Sequence, residues 1–239
     1  MEKRIVKVCV VIPARGGSKS VPKKNIRLLG GTPLIGYSIQ YSLACPLVSH
    51  TVVSTDSEEI SEVARECGAE VPFIRPAELG GDDVPDYPVF RHALENLEHL
   101  FNAQIELLVL MRPTSPLRPP GLIERGVDLL MRHPQADSVR AVTYTKQHPF
   151  RQWKIVGQYI EGYETTVPEP YNLPRQQLPP VFFQTGDIEI IRRKTILGGS
   201  ISGRRILPII VEPEDVVDID CIADFNKATE VLHGKHKKV

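Results

Sequence analysis

Short apolar runs alternate with amphipathic stretches along the first 145 residues, and their spacing predicts the elements. Val8 to Ile12 is unbroken, β-branched and too short for a helix, so it reads as a buried strand. Leu34 to Cys45 predicts a helix, with Thr32 as N-cap and Pro33 at its first position. Thr51 to Ser54 predicts a strand. Glu58 and Glu59 after Ser57 suit the first turn of a helix; Ile60, Val63, Ala64 and Cys67 share its inner face, and Gly68 closes it. Strands then follow at Val71 to Ile74, Leu107 to Met111 and Ser138 to Thr145, separated by helices at Val89 to Leu100 and Gly121 to Arg132. This alternation is that of a parallel sheet with crossover helices.

The texture changes at Gln147. From there to Pro180 the chain carries scattered aromatics, Gly turns at Gly157 and Gly162 and a Pro-rich end, so residues 147–180 read as an excursion from the sheet, with a hairpin over Trp153 to Tyr163. Val181 to Phe183, Ile188 to Ile191 and Ile206 to Val211 predict strands returning to the core. Val216 to Asp220 predicts a short strand, Ile222 to Leu232 the last helix, and His233 to Lys238 a frayed basic tail. At 239 residues, the whole chain, 1–239, is read as a single α/β domain.

The most unusual stretch is Ile12 to Asn25, I-P-A-R-G-G-S-K-S-V-P-K-K-N, which leaves the first predicted strand. Glycines let backbone N–H groups crowd a ligand, and the cations supply charge for a polyanion. Lys3 to Thr55 contains eight Lys or Arg and no acid, although the chain as a whole carries 29 residues of each sign. Two readings follow, a polyphosphate cradle or a basic surface loop. The spacing matches neither G-x-G-x-x-G nor a Walker A loop, which counts against a dinucleotide-dependent dehydrogenase and a P-loop ATPase. The place is nonetheless where open α/β sheets bind ligands.

Asp218-Ile219-Asp220 offers two carboxylates on one side of an extended segment, enough for Mg²⁺ when substrate phosphates and water complete the shell; the alternative is a solvated pair at a sheet edge. Arg75, Arg112, Arg118, Arg151 and Arg175 all fall in predicted loops, where a guanidinium can grip carboxylate or phosphate or simply face solvent. His92 and His99 are read as solvent-facing on their helix, and His92, His99, His133 and His148 lack metal-ligand spacing.

Balanced net charge excludes general nucleic-acid or membrane-surface binding, and no apolar run approaches the length that spans a bilayer. The four cysteines are dispersed, without a C-x-x-C pair, which points to a reducing cytoplasm rather than to zinc or a disulfide framework. The basic, apolar N-terminus lacks an A-x-A-like cleavage site and is read as strand, not signal peptide.

An ordered series of segments carries a resemblance. It comprises the loop from Ile12 to Asn25, Ser54-Thr55-Asp56, Arg75-Pro76-Ala77-Glu78-Leu79, Pro113-Thr114-Ser115-Pro116-Leu117-Arg118, His148-Pro149, Pro174-Arg175-Gln176-Gln177-Leu178-Pro179 and Asp218-Ile219-Asp220. Together they resemble the acylneuraminate cytidylyltransferases, the CMP-sialic acid synthetase family. The resemblance implies a Rossmann-like nucleotidyltransferase fold, three α/β/α layers around a mixed, mostly parallel sheet, and a homodimer built through the 147–180 excursion. It implies that a sugar acid's anomeric C2 hydroxyl attacks the α-phosphate of CTP and releases pyrophosphate, with Mg²⁺ as cofactor and no protein nucleophile.

By the same resemblance Ala14, Arg15, Gly16, Gly17, Ser18, Lys24 and Asn25 hold the triphosphate, and Arg75 and Asp86 border the cytidine. Arg15, Lys24 and Asp220 carry the reaction, Asp218 and Asp220 the metal, and Arg112, Arg151, Arg175 and Gln176 the sugar acid. Two residues depart from the sialic acid pattern: Arg112 stands where glutamine is usual, and Thr185 where asparagine precedes the glycine. The expected substrate is therefore a nonulosonic acid, with legionaminate and pseudaminate relatives included. Kdo is the alternative, although its enzymes lack the G-G-S-K run. A noncatalytic nucleotide-binding homologue is the other.

Overall fold

The computed structural model describes residues 4–17, 20–145 and 147–236. Its centre is a six-stranded sheet. β1 (Arg4–Pro13) pairs in parallel with β4 (His50–Ser54) on one side and β5 (Ala103–Leu110) on the other. β9 (Phe182–Arg192) runs antiparallel between β5 and β6 (Ser138–Tyr144), and β10 (Ile206–Ile210) lies parallel to β6 at the edge. The order is β10-β6-β9-β5-β1-β4. The expected mixed, mostly parallel sheet is what forms.

Period-two alternation explains why both faces are covered. In β1, Val8, Val10 and Ile12 enter one core, which they share with Ile35 and Ile39 of α1 (Leu34–Leu43), Ile60 and Ala64 of α2 (Glu58–Glu66) and Leu122, Ile123 and Leu130 of α4 (Leu122–Arg132). Cys9 and Val11 enter the other, with Val89, Phe90, Ala93, Leu94 and Leu97 of α3 (Asp86–Leu100) and Ile196 of α5 (Arg193–Leu197). A third, smaller core joins Leu29 and Leu34 to Ile219 and to Phe225 and Ala228 of α6 (Ile222–His236). Ser57 caps α2 by accepting from Ile60 N at 3.4 Å, a contact of about 1 kcal/mol.

Some expectations are corrected. Thr32 does not cap α1. Gly30 and Gly31, both at positive φ, turn the chain tightly so that β2 (Leu28–Leu29) pairs with β3 (Thr32–Pro33), and the helix begins at Leu34 without a side-chain cap. Val71 to Ile74 forms no strand: Pro72 lacks the N–H that a ladder needs, and pairing there is a single bridge between Val52 and Glu70. Val181 to Phe183 and Ile188 to Ile191 are two ends of one strand, β9. Val216 to Asp220 is extended without ladder pairing. The last helix continues to His236, where a frayed tail was expected, and Lys237 and Lys238 lie outside the described residues. The excursion holds a hairpin of β7 (Trp153–Val156) and β8 (Tyr159–Gly162), as the glycine turn predicted. Among the described residues no helix is long and apolar enough to cross a membrane.

Candidate active site

The carboxyl ends of β1 and β5 open into a cleft of about 280 Å³, lined by Arg15, Lys24, Asn25, Arg75, Asp86, Arg112 and Thr114 among others. Five stretches of sequence thus meet in one space. After β1 the chain turns out through Ala14 and Arg15, then re-enters in a 3-10 turn over Lys24–Ile26, with Lys23 in the left-handed region at φ 52°. Asn25 is buried and its side-chain amide donates to the Arg15 carbonyl at 3.1 Å, so it ties the two ends of the loop together. Gly16 passes close to α2: a Cβ there would meet Ser57 Cβ at 3.1 Å, whereas one at Gly17 would meet open space. Ser18 and the adjacent Lys19 lie outside the described residues.

Asp56, at the end of β4, organises this loop. Its Oδ1 accepts from Gly16 N at 2.9 Å and stands 3.6 Å from Arg75 Nη2. Arg75 is buried, and its Nε has no hydrogen-bond partner among the described residues. Burial lowers its pKa, opposed by Asp56 and reinforced by Arg15. Arg15 itself is bridged to Asp82 across the cleft.

Lys24 reaches to the opposite end of the chain. Its Nζ donates to the Ile219 carbonyl at 3.0 Å and lies 3.7 Å from Asp220 Oδ1. Ile219 N in turn donates to the Thr114 carbonyl at 2.9 Å, and its buried side chain plugs the third core. Extended backbone therefore turns Asp218 and Asp220 outward on either side of it even without a strand ladder. The Asp218 carboxyl is reachable by solvent yet hemmed in by protein, and this crowding raises its pKa, with the Asp220 charge adding to it. Two mutually repelling carboxylates beside a cleft lined by Arg15, Lys24, Arg75 and Arg112 are oxygen donors of the kind a hard divalent cation takes, so this pair fits Mg²⁺.

Arg112 is held twice: Nη2 donates to Asp86 Oδ2 at 2.5 Å and Nη1 to Glu189 Oε1 at 2.7 Å. Glu189 is buried in β9 and is also bridged to Arg140 of β6. Arg140 spans an irregularity: Arg140 pairs with Glu189 but Val142 with Gln184, so residues 185–188 bulge out of the ladder. Its Nη1 donates to Gln184 Oε1 at 2.6 Å, which staples both lips of that bulge. From within, Arg118 holds it: Nε donates to the Asp187 carbonyl at 2.6 Å, Nη2 to the Arg112 carbonyl at 2.5 Å and Nη1 to Ser38 Oγ at 2.9 Å. Complete burial pushes the Arg118 pKa down to about 10, which still leaves it charged at neutral pH.

Arg151 and Arg175 meet elsewhere. They line a second recess of about 220 Å³ with Tyr144, His148 and Val181, which shares no residue with the first cleft. Arg151 Nη2 donates to the Leu173 carbonyl at 3.0 Å, and Gln176 is exposed beside Arg175 in a 3-10 turn. The structure thus separates Arg112 from the arginines with which it had been grouped. His92 is another correction: it is half-buried, edge-on to Phe73, and its pKa is lowered by burial and by Arg75. Asp56, Asp82 and Glu189 join the site although sequence reasoning did not place them in it, and Arg118, one of the loop arginines, serves there by holding backbone rather than a ligand. Asp56 and Arg118 stand inside the segments Ser54-Thr55-Asp56 and Pro113 to Arg118, so a signal existed; Asp82 had none.

A cytidylyltransferase family model matches residues 9–153, which include the second half of β1, the glycine loop, Asp56, Arg75 and Arg112. The chain belongs to the cytidylyltransferase family. Post-translational flagellin modification protein B of Campylobacter coli is 31% identical over 232 residues, 94% of each chain. CMP-N,N'-diacetyllegionaminic acid synthase of Campylobacter jejuni is 31% identical over 233 residues, 95% of each. Among solved structures, CMP:2-keto-3-deoxy-manno-octonic acid synthetase complexed with CTP superposes with a TM-score of 0.70 at 16% identity, covering 96% of this chain and 99% of that one. This cytidylyltransferase therefore shares the fold of that synthetase as well as the sequence family of the Campylobacter proteins.

Proposed function

We propose that this cytidylyltransferase transfers CMP from CTP to a nonulosonic acid and releases pyrophosphate. The observation that carries the reading is the convergence of Arg15, Lys24, Asn25, Arg75 and Asp86 on one cleft beside Asp218 and Asp220. The legionaminic acid synthase relative, matched over nearly the full length of both chains, supports a nonulosonic acid over Kdo.

In this reading the loop from Ala14 through Gly17 offers its backbone to the triphosphate, and Lys24 and Arg15 offset its charge. Arg75 and Asp86 border the nucleoside. The sugar's anomeric oxygen forms a bond to the α-phosphorus as the bond to the bridging β-phosphate oxygen breaks. The protein's work is positioning and charge compensation rather than covalent catalysis. Asp218 and Asp220 would hold Mg²⁺, which when bound neutralises phosphate charge. The cations in the second recess, Arg151 and Arg175 with Gln176 beside them, suit the sugar acid's carboxylate.

The excursion is proposed to form a homodimer. Ile155 and Ile160 face each other across the hairpin and are 82% and 60% exposed, and Tyr159 is 70% exposed. Large apolar side chains exposed on both faces of a hairpin favour a partner. Four free cysteines, two of them buried, suit a reducing cytoplasm.

A pyrophosphate-release assay with CTP and a panel of nonulosonic acids and Kdo tests the reading. Release with one nonulosonic acid, dependent on Mg²⁺, is expected. Preference for Kdo, or CTP binding without turnover across the panel, would overturn it.

A further inference from the structure

We infer that Arg112 is a positioning residue, which ties the start of α3 to β9 through Asp86 and Glu189 and so presets the nucleotide end of the cleft. The inference rests on the proposed function only in taking Asp86 as a neighbour of the nucleoside.

The geometry argues against a free guanidinium awaiting a substrate carboxylate. Both terminal nitrogens already meet carboxylates, at 2.5 Å and 2.7 Å. Burial opposes the Arg112 cation, and Asp86 and Glu189 outweigh it, so its pKa lies above the ordinary value. Charges balance within the group: Arg112 and Arg140 face Asp86 and Glu189, two of each sign. Arg140's further bonds, to Gln184 and Ser202, stay within the protein. A sugar carboxylate approaching Arg112 would have to compete with two charge-assisted bonds, one of them to a buried Glu189 that cannot be left unpaired cheaply.

What Arg112 does achieve is mechanical. Asp86 is the first residue of α3, directly after the loop of residues 80–85 that carries Asp82, the partner of Arg15. Arg112 takes Asp86 Oδ2 and leaves Oδ1 facing no hydrogen-bond partner among the described residues. It therefore fixes the carboxylate while keeping one oxygen for a ligand. The anchor at the other end is rigid, since Glu189 is 1% exposed in a central strand and held by Arg140. A lysine cannot substitute, because one ammonium does not span two carboxylates with a planar fork.

Two measurements on the intact protein test this. The first needs no ligand: amide hydrogen exchange over residues 86–93 is expected to quicken in Arg112→Gln, equally in Asp86→Asn, and no further in the double variant. The second uses Mg²⁺ and CTP with the sugar acid that supports turnover in the panel. Arg112→Gln is expected to raise the KM for CTP roughly tenfold, the size of one lost charge-assisted hydrogen bond, while the sugar acid KM stays within about twofold. Arg112→Lys is not expected to restore the CTP KM. Unchanged exchange at the start of α3 would overturn the inference, as would a rise confined to the sugar acid KM. Absence of CTP turnover in the wild type would count against the proposed function, and the exchange result would still decide the role of Arg112.

Discussion

Lys24 Nζ donates to the carbonyl of Ile219, 195 positions further along the chain, at 3.0 Å, and stands 3.7 Å from the carboxylate of Asp220. The two ends of the protein are thereby joined at the mouth of the cleft. In the proposed reaction a cation so placed serves both the phosphates and the acidic pair. Lys24→Ala is expected to lower kcat/KM at least ~100-fold, as loss of a preorganised charge does at other phosphoryl-transfer sites. Its melting temperature should fall by only a few degrees, because one partly exposed hydrogen bond is lost. Steady-state kinetics and thermal unfolding check both parts.

The bulge in β9 depends on an absent side chain. A Cβ on Gly186 would come within 2.4 Å of Ser115 Oγ, so either the strand or the serine side chain must shift. Gly186→Ala is expected to cost about 1–3 kcal/mol in denaturant unfolding. Adding Ser115→Ala removes the clashing oxygen, whose next-nearest atom lies 3.7 Å away, and should restore most of the loss.

Arg118 is buried and satisfies the carbonyls of Arg112 and Asp187 and the hydroxyl of Ser38. Arg118→Met takes from the buried Asp187 carbonyl its donor and is expected to destabilise by on the order of 3 kcal/mol, read from the urea midpoint. The effect should be larger than that of removing any exposed arginine.

Asp137 reports on pH. Its Oδ2 accepts from the backbone N–H groups of Arg204 and Arg205 at 2.9 and 3.0 Å, and the bond from Arg205, then that from Arg204, hold its pKa below the ordinary value of 3.8. A depressed folded pKa contributes stability that is present above the unfolded pKa and lost as pH falls through the folded one. Asp137→Asn should therefore be less stable than wild type at neutral pH, and the gap should narrow as pH drops below 3.8. Melting curves from neutral to strongly acidic pH check this.

The hairpin predicts an assembly. Ile155→Asp, on the exposed apolar face, is expected to turn a homodimer into a monomer in sedimentation velocity, with the monomer fold retained by circular dichroism. A monomeric wild type would contradict the dimer directly.

The sequence made the sheet legible where strands are buried on both faces. β1 and β5 contain the continuous apolar runs Val8 to Ile12 and Leu107 to Leu110, and their alternation into two cores follows from the pleat alone. It misled where pairing, not composition, decides: Val71 to Ile74 looks like a strand, but Pro72 removes a donor, and Val216 to Asp220 is extended only to carry Ile219 into a core. The loop from Ile12 to Asn25 announced its chemistry because charge and glycine concentrate there. Arg112 did not, because the partners that occupy it, Asp86 and Glu189, lie 26 and 77 positions away and no local pattern links them.

The reversed strand β9 divides the sheet into two territories. On one side, β4, β1 and β5 run parallel and carry the loops that line the cleft; on the other, the chain arrives from the hairpin and Arg175, then enters the bulge over residues 185–188. Substitutions that reshape the approach of the sugar can therefore accumulate on β9 and its lead-in without disturbing the β1 register. The two territories meet at one buried carboxylate, Glu189, which Arg112 holds from the cleft side and Arg140 from the β6 side.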